Sequence, residues 1–433
     1  MMKISALWQR YDRAIWIRAI GTVLTTVTSF AIRPFLAIYL YNKTGSIYYI
    51  GIILGLAPLM GVFTNLWAGG LADKYGRKPL MVYSLMFQGI SMLGYVFAQT
   101  PLHFALASVL NGAASSLYFP AANAQIADIV PEYQRSEVFA LMHTALNLGA
   151  AVGPMLGLLM VKINQSLAFL SSSVSLFIYG FLVLLFVPET WRVPTKRVGP
   201  EQKSSVSSGQ GTERSLPEEL THPARRKKSW SLLLKEHALL MSFTVLAMPI
   251  TLLYAQVEAN FPLYLQANFE DYLTIFTSLM TMNGTIVVLS AVWLAKKTEK
   301  LYLPHVLFVG YVLFALVGVG YGFGPWAKAV PLLFVAEVIF TVGECITFPN
   351  QNKLISLIAP EDMRGRYFSV FSLNWGLSKS IGPLLGAVIF AHFGGLTLFL
   401  CISVLLLLAG ALVYRLTQVH VPSTQGKMLE VSR

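Results

Sequence analysis

Three glutamates and three cations stand inside stretches that are otherwise apolar. Glu258 lies in YAQVEANFPLYL, Glu337 and Glu344 lie in AEVIFTVGECITFP, and Arg18, Arg33 and Lys379 interrupt comparable runs. An ionisable group at membrane depth is expensive, so each is a functional candidate by default. A carboxylate taken out of water can bind and release a proton near neutral pH. If a proton and a cationic substrate compete for one such charge, the outcome is exchange. Helical spacing assigns the neighbours. Tyr254 shares a face with Glu258 at i, i+4, with Phe261 beside them; Trp375 and Lys379, and His143 and Asn147, are paired in the same way. Tyr254, Phe261 and Trp375 offer apolar and cation–π walls. Glu337 and Glu344 are two turns apart on one side, about 10 Å. Arg18, Thr22, Thr25, Ser29 and Arg33 form a polar stripe that belongs to a cavity, with Arg18 expected to snorkel to the interface. For each carboxylate a second reading stands: a salt bridge to Lys379 or Arg33 that fixes the cavity wall.

The elements that must position these groups are long and apolar. The chain has 433 residues, 55% hydrophobic and 12% charged, about half the charge of a soluble domain. Twelve apolar runs are long enough to span a bilayer: 14–41, 47–70, 79–98, 101–126, 138–162, 166–188, 238–267, 273–295, 302–322, 328–352, 366–391 and 394–416. Hydrocarbon cannot satisfy free backbone groups, so these runs are expected to be helices. With both termini in the cytoplasm, about 25 of the 32 Lys and Arg residues fall on that side. The division is an N-terminal six-helix bundle (1–190), a polar cytoplasmic linker (191–236), a C-terminal six-helix bundle (237–416) and a cytoplasmic tail (417–433). The class is an all-α integral membrane protein, multi-pass in the plasma membrane.

The two bundles repeat each other. FPAANAQIADIVPEYQRSEVFALMHTALNLGAAVGPMLG (119–157) aligns without a gap over FPNQNKLISLIAPEDMRGRYFSVFSLNWGLSKSIGPLLG (348–386). Arg135 matches Arg364, and Gly153-Pro154 matches Gly382-Pro383. Two pseudo-symmetric halves place a binding site at their interface, near mid-membrane. Ala145, Gly149, Gly153 and Gly157 form a small-residue ribbon, as do Asn374, Ser378, Gly382 and Gly386, each suited to close helix approach. Pro154 and Pro383 loosen the helical ladder locally.

Between the second and third runs lies GGLADKYGRKP (69–79), which resembles the signature loop of the major facilitator superfamily. The resemblance covers the whole chain and implies a loop that gates the cytoplasmic side. Asp73 would sit at the N-terminus of the eleventh helix, Gly69 and Gly76 would permit close approach and a tight turn, and Arg77 would pair with Asp128. Gly149, Gly153, Pro154 and Gly157 resemble the GxxxGPxxG motif of the drug:proton antiporter branch. QVEANFP and VGECITFP resemble segments of lactococcal-type multidrug/proton antiporters, where carboxylates on helices seven and ten serve cation binding and proton coupling. That match points to Glu258 and Glu344. One departure is Ser108, near where many members of the branch carry an arginine.

The resemblance implies proton-coupled efflux of lipophilic, cationic small molecules by alternating access. Arg33 and Lys379 keep a second solute class open: a sugar, an amphiphile or an anionic metabolite. No HExxH, no metal-spaced His/Cys cluster and no phosphate-cradling loop is present, so an enzyme is not expected. The expected partners are a small-molecule substrate, protons and the lipid bilayer. No nucleic acid, metal or cofactor is expected, and a monomer should suffice.

Overall fold

A computed structural model describes residues 11–190, 237–299, 301–360 and 364–420, without side chains at a few helical positions. The linker and most of the tail expected from sequence lie outside these residues.

Six helices form the first half: α1 (Arg13–Thr44), α2 (Ile47–Tyr75), α3 (Arg77–Phe97), α4 (Pro101–Ile129), α5 (Glu132–Ile163) and α6 (Ser166–Phe186). The second half begins with α7 (Ala238–Ala259), followed after Asn260 by the short helix Phe261–Gln266. It continues with α8 (Tyr272–Glu299), α9 (Leu303–Trp326) and α10 (Val330–Ile358). The helical run Arg364–His420 is interrupted at Gly394, whose φ of 80° no ordinary helix contains, and so holds two spans, α11 before it and α12 after it. α4 has spanning length, and Asn111 and Ser115 place polar groups within it.

The glycine ribbons pack within each half. In the first, Gly149, Gly153 and Gly157 of α5 lie against Thr26, Val27, Phe30 and Ala31 of α1. A Cβ on Gly157 would stand 2.2 Å from the Ala31 carbonyl oxygen, so backbone meets backbone there. In the second half Gly382 and Gly386 of α11 take the same place against Ala255 and Gln256 of α7. The amide of Gln256 donates to the Gly382 carbonyl at 2.8 Å, and that of Asn260 to the Pro383 carbonyl at 3.3 Å.

Contacts between the halves use other glycines. Gly51 and Gly55 of α2 meet the backbone of Leu384 and Ser380 of α11, and Gly376 meets Val62. Gly284 of α8 meets Ala151 of α5. The α2–α11 approaches run from the Ile47 end of α2 to its middle, away from the 69–79 loop. A further apolar cluster seals that end by packing Leu263, Tyr272 and Phe390 of the second half against Ile32, Phe104 and Phe169 of the first. Among the described residues, the α2–α11 contacts between the halves therefore lie on the side away from the motif loop.

Candidate functional site

A cavity of about 690 Å³ lies between the halves. Helices α1 to α6 supply most of its wall, and α7 and α11 close it. Thr22, Thr25, Ser29 and Arg33 all face it, so the polar stripe of α1 is a cavity face. Gln88, Asn111, Ser115, Tyr118 and Tyr179 add polar groups that the sequence reading passed over. The available signal was Asn111 and Ser115, polar and one turn apart in an apolar run.

Glu258 and Lys379 reach the cavity from the second half. The Lys379 ammonium donates to both Glu258 oxygens at 2.9 Å. Arg33 approaches the same carboxylate from the first half at 3.6 Å, and its guanidinium lies 4.1 Å over the Phe30 ring. One carboxylate therefore holds two cations, and one of its ion pairs crosses between the halves. Pairing is what makes three charges tolerable at membrane depth.

Several expected neighbours are placed elsewhere. Tyr254 and Trp375 are half-buried and pack against each other at 5.2 Å, in a cluster that includes Phe314, Phe340 and Phe348. They do not line the cavity, although Lys379 sits 5.6 Å above the Trp375 ring. Phe261 is fully buried and stacks on Tyr321 at 4.3 Å. The helix restarts at Asn260 before Pro262, so the register that would align Phe261 with Glu258 is broken. Glu344 has no cationic partner among the described residues. It is half-buried, accepts from the Asn283 amide at 3.2 Å and lies beside the Tyr254 hydroxyl. A Glu344–Lys379 pair is excluded because Lys379 is committed to Glu258. Glu337 is buried and accepts from the Tyr321 hydroxyl, while its second oxygen has no partner among the described residues. Neither carboxylate of α10 lines the cavity.

Arg18 does not snorkel. It is 4% exposed, donates to the Ala122 carbonyl of α4 and lies beside Tyr179, whose hydroxyl meets that of Tyr118 at 2.5 Å. Asn147 is half-buried, and α5 reaches the cavity through Leu146. The side chains of His143 and Asp73, and the surroundings of Gly69, lie outside the described residues. Ser108 is buried and donates to the Ile53 carbonyl at 2.6 Å, which occupies that place with a neutral helix contact.

At the motif loop, Gly76 has φ 93° and turns the chain from α2 into α3. Arg77 pairs with Asp128, which also accepts from the Thr190 hydroxyl at 2.8 Å. Glu189 accepts from the first two backbone amides of α3, Arg77 and Lys78, each at 3.1 Å. A carboxylate there satisfies orphan donors and complements the helix dipole. Glu189 and Thr190 were legible only as an acid and a hydroxyl just after the sixth run. The cluster ties together the ends of α3, α4 and α6, all in the first half.

A model described as Major Facilitator Superfamily matches residues 18–380 and again 304–430. The chain belongs to the major facilitator superfamily. It is 34% identical over 403 residues to the uncharacterized MFS-type transporter YhjO of Bacillus subtilis (strain 168), covering 93% of this chain and 92% of that one. It is 28% identical to a Na(+), Li(+), K(+)/H(+) antiporter of Planococcus maritimus, covering 86% and 89%. It is 24% identical to the multidrug resistance protein MdtG of Enterobacter lignolyticus (strain SCF1), covering 92% and 90%. This member of the superfamily is a multi-pass membrane transporter and not an enzyme.

Proposed function

We propose that the chain is a proton-coupled exporter of amphiphilic small molecules that works by alternating access, with Glu258 as the coupling group. The observation that carries this reading is the ion cluster in the cavity. Glu258 is open to the cavity, is held by Lys379 and pairs across the halves with Arg33. A proton on Glu258 removes the charge that holds both cations. Proton occupancy and the contact between halves are thereby linked, which is the minimum a coupled carrier requires. The charged groups facing Glu258 are Arg33 from α1 and Lys379 from α11. Export is favoured by the names of two relatives, a multidrug resistance protein and a proton antiporter. With the positive loops in the cytoplasm, the cavity opens inward and is loaded from inside. Glu258→Gln should cut transport driven by a pH gradient in proteoliposomes by more than about tenfold while downhill movement of the same dye persists. Full gradient-driven transport by that variant removes Glu258 from the coupling role, and a wild type indifferent to the gradient removes proton coupling altogether.

A second reading rests on α8 and α10. Glu344, Asn283 and Thr341 gather oxygen and amide groups within hydrogen-bonding distance, and Glu337 keeps an unpaired oxygen two turns away. Oxygen ligands of this kind suit a small hard cation. Exchange of Na⁺ or Li⁺ for protons, lost in Glu344→Gln and retained in Glu258→Gln, would favour it.

A further inference from the structure

The cavity holds more positive charge than its carboxylate can answer. Among the described residues its ionisable lining is Arg33, Lys379 and Glu258, two cations against one anion. The three are not equivalent. Lys379 and Glu258 form a closed pair, with one ammonium on both carboxylate oxygens. Arg33 is the less tightly held of the two cations. Its only ionic contact among the described residues is at 3.6 Å, beyond hydrogen-bonding distance, and no hydrogen bond to its guanidinium is made by any of them. Its side chain is 44% exposed, and the exposed part faces the cavity. The guanidinium is steadied from one side by the Phe30 ring. A planar fork of five donors, with none spent on a hydrogen bond among the described residues, fits a carboxylate or another oxyanion in bidentate fashion.

A buried cation, Arg18, lies on the same helix. Arg18 stands four turns further along α1, about 22 Å away, behind Tyr179 and Tyr118 of the cavity wall. It has no carboxylate partner among the described residues, and its Nε is buried without a hydrogen bond. Around Arg33 the lining is apolar, with Ile32, Leu36, Leu54, Met92 and Phe169. A lipophilic body would rest on these side chains while its head group met the arginine. A lipophilic cation would meet like charge at the same place.

We infer that the cargo of this cavity is an organic anion, an amphiphile whose carboxylate or comparable oxyanion seats on Arg33 while Lys379 keeps Glu258. Bound in this way the cargo neutralises the excess charge, so the loaded cavity carries two closed ion pairs and no net charge when it occludes. This inference rests on the transport reading above for its meaning as cargo, but binding tests it separately.

The experiment uses three probes with one ring system: naphthoate, naphthamide and naphthylmethylammonium. Equilibrium binding to the full chain in nanodiscs is measured without any gradient, with empty nanodiscs subtracted. Naphthoate should bind at least about tenfold more tightly than the ammonium, the worth of one charge-assisted hydrogen bond. Arg33→Gln should bring the ratio towards one, and Arg33→Lys should retain part of it. Naphthamide binding should be nearly the same in all three proteins, which reports that the cavity is intact. Equal or tighter binding of the ammonium by the wild type overturns the inference, as does a naphthoate preference that survives in Arg33→Gln. Binding with the expected preference but no movement of naphthoate in proteoliposomes would leave the anion site standing and defeat the transport reading instead.

Discussion

The two halves share a backbone plan and fill it with different chemistry. In the first half polar side chains line the space between helices: Thr22, Ser29, Gln88, Asn111 and Ser115 face the cavity. In the second half aromatic rings occupy the interior: Tyr254, Phe314, Phe340, Phe348 and Trp375 form one cluster, and Phe261, Tyr321 and Phe399 form another. The internal repeat shows how the split arises. Positions identical in both halves, such as Gly153/Gly382 and Gly157/Gly386, press one helix against the first helix of its own bundle. Positions that differ set the chemistry of the cavity wall: Lys379, which lines it, answers to Ala150. Symmetry serves packing, which two rocking bundles need alike. Asymmetry sets the chemistry of the cavity, which only one half fills with polar side chains.

The largest effect should come from the glycines that pack within a half. Gly157→Leu forces a side chain into the Ala31 backbone, and neither helix can retreat without opening its bundle. We expect a loss of more than about 4 kcal/mol and no monodisperse protein on size exclusion. Gly55→Leu meets an equally close obstacle, since a Cβ on Gly55 would stand 2.1 Å from the Ser380 carbonyl oxygen, but that obstacle belongs to the other half. The halves can part there, so this variant should fold and shift towards an outward-open state. A cysteine at Ser29, in a background without Cys345 and Cys401, should then react about tenfold faster with an impermeant maleimide from the far side. Equal melting of the Gly157 and wild-type proteins, or unchanged labelling in the Gly55 variant, breaks the distinction between the two sets of glycines.

A smaller effect separates the aromatic half from the polar one. Glu337→Ala leaves the Tyr321 hydroxyl buried without its acceptor and opens a hole beside it. Thermal stability should fall by about 2–3 kcal/mol. Asn111→Ala, at the cavity wall, removes a group that water can replace and should change stability by less than about 0.5 kcal/mol. Similar losses in both would mean that the polar wall of the first half is structural.

Much of this was legible in sequence because membrane physics is restrictive. Apolar length gave the spans, and the repeat gave two bundles. The α1 stripe was readable because a period of 3.6 keeps Thr22, Thr25, Ser29 and Arg33 on one face. Partners in space were harder. Lys379 lies 121 positions from Glu258, and nothing in the spacing chooses Glu258 over Glu344 as its acceptor. Phe261 was assigned by extending a helix that Asn260 and Pro262 interrupt. Arg18 was expected at the interface because its carbonyl acceptor belongs to another helix, and a backbone oxygen leaves no trace in side-chain pattern.

The smallest effect belongs to the motif loop, and it tests what kind of contact a half keeps at its surface. Arg77 and Asp128 are partly exposed, at 18% and 31%, and unlike the cavity charges they stand at helix ends, not at membrane depth. Water and salt screen such a pair, and its two side chains have other attachments. Asp128 keeps the Thr190 hydroxyl, and the α3 N-terminus keeps Glu189, whatever happens to the ion pair. Asp128→Asn preserves shape and an acceptor for Thr190 while removing the charge. It should therefore lower stability by no more than about 1 kcal/mol, with the difference shrinking at high salt. A double-mutant cycle with Arg77→Gln isolates the pair from the rest of the cluster. A coupling above about 3 kcal/mol would give Arg77 and Asp128 the strength of a buried pair. A coupling below about 1 kcal/mol leaves Gly76 and the Glu189 cap as the features that hold the turn, since both act on backbone that no salt concentration can screen.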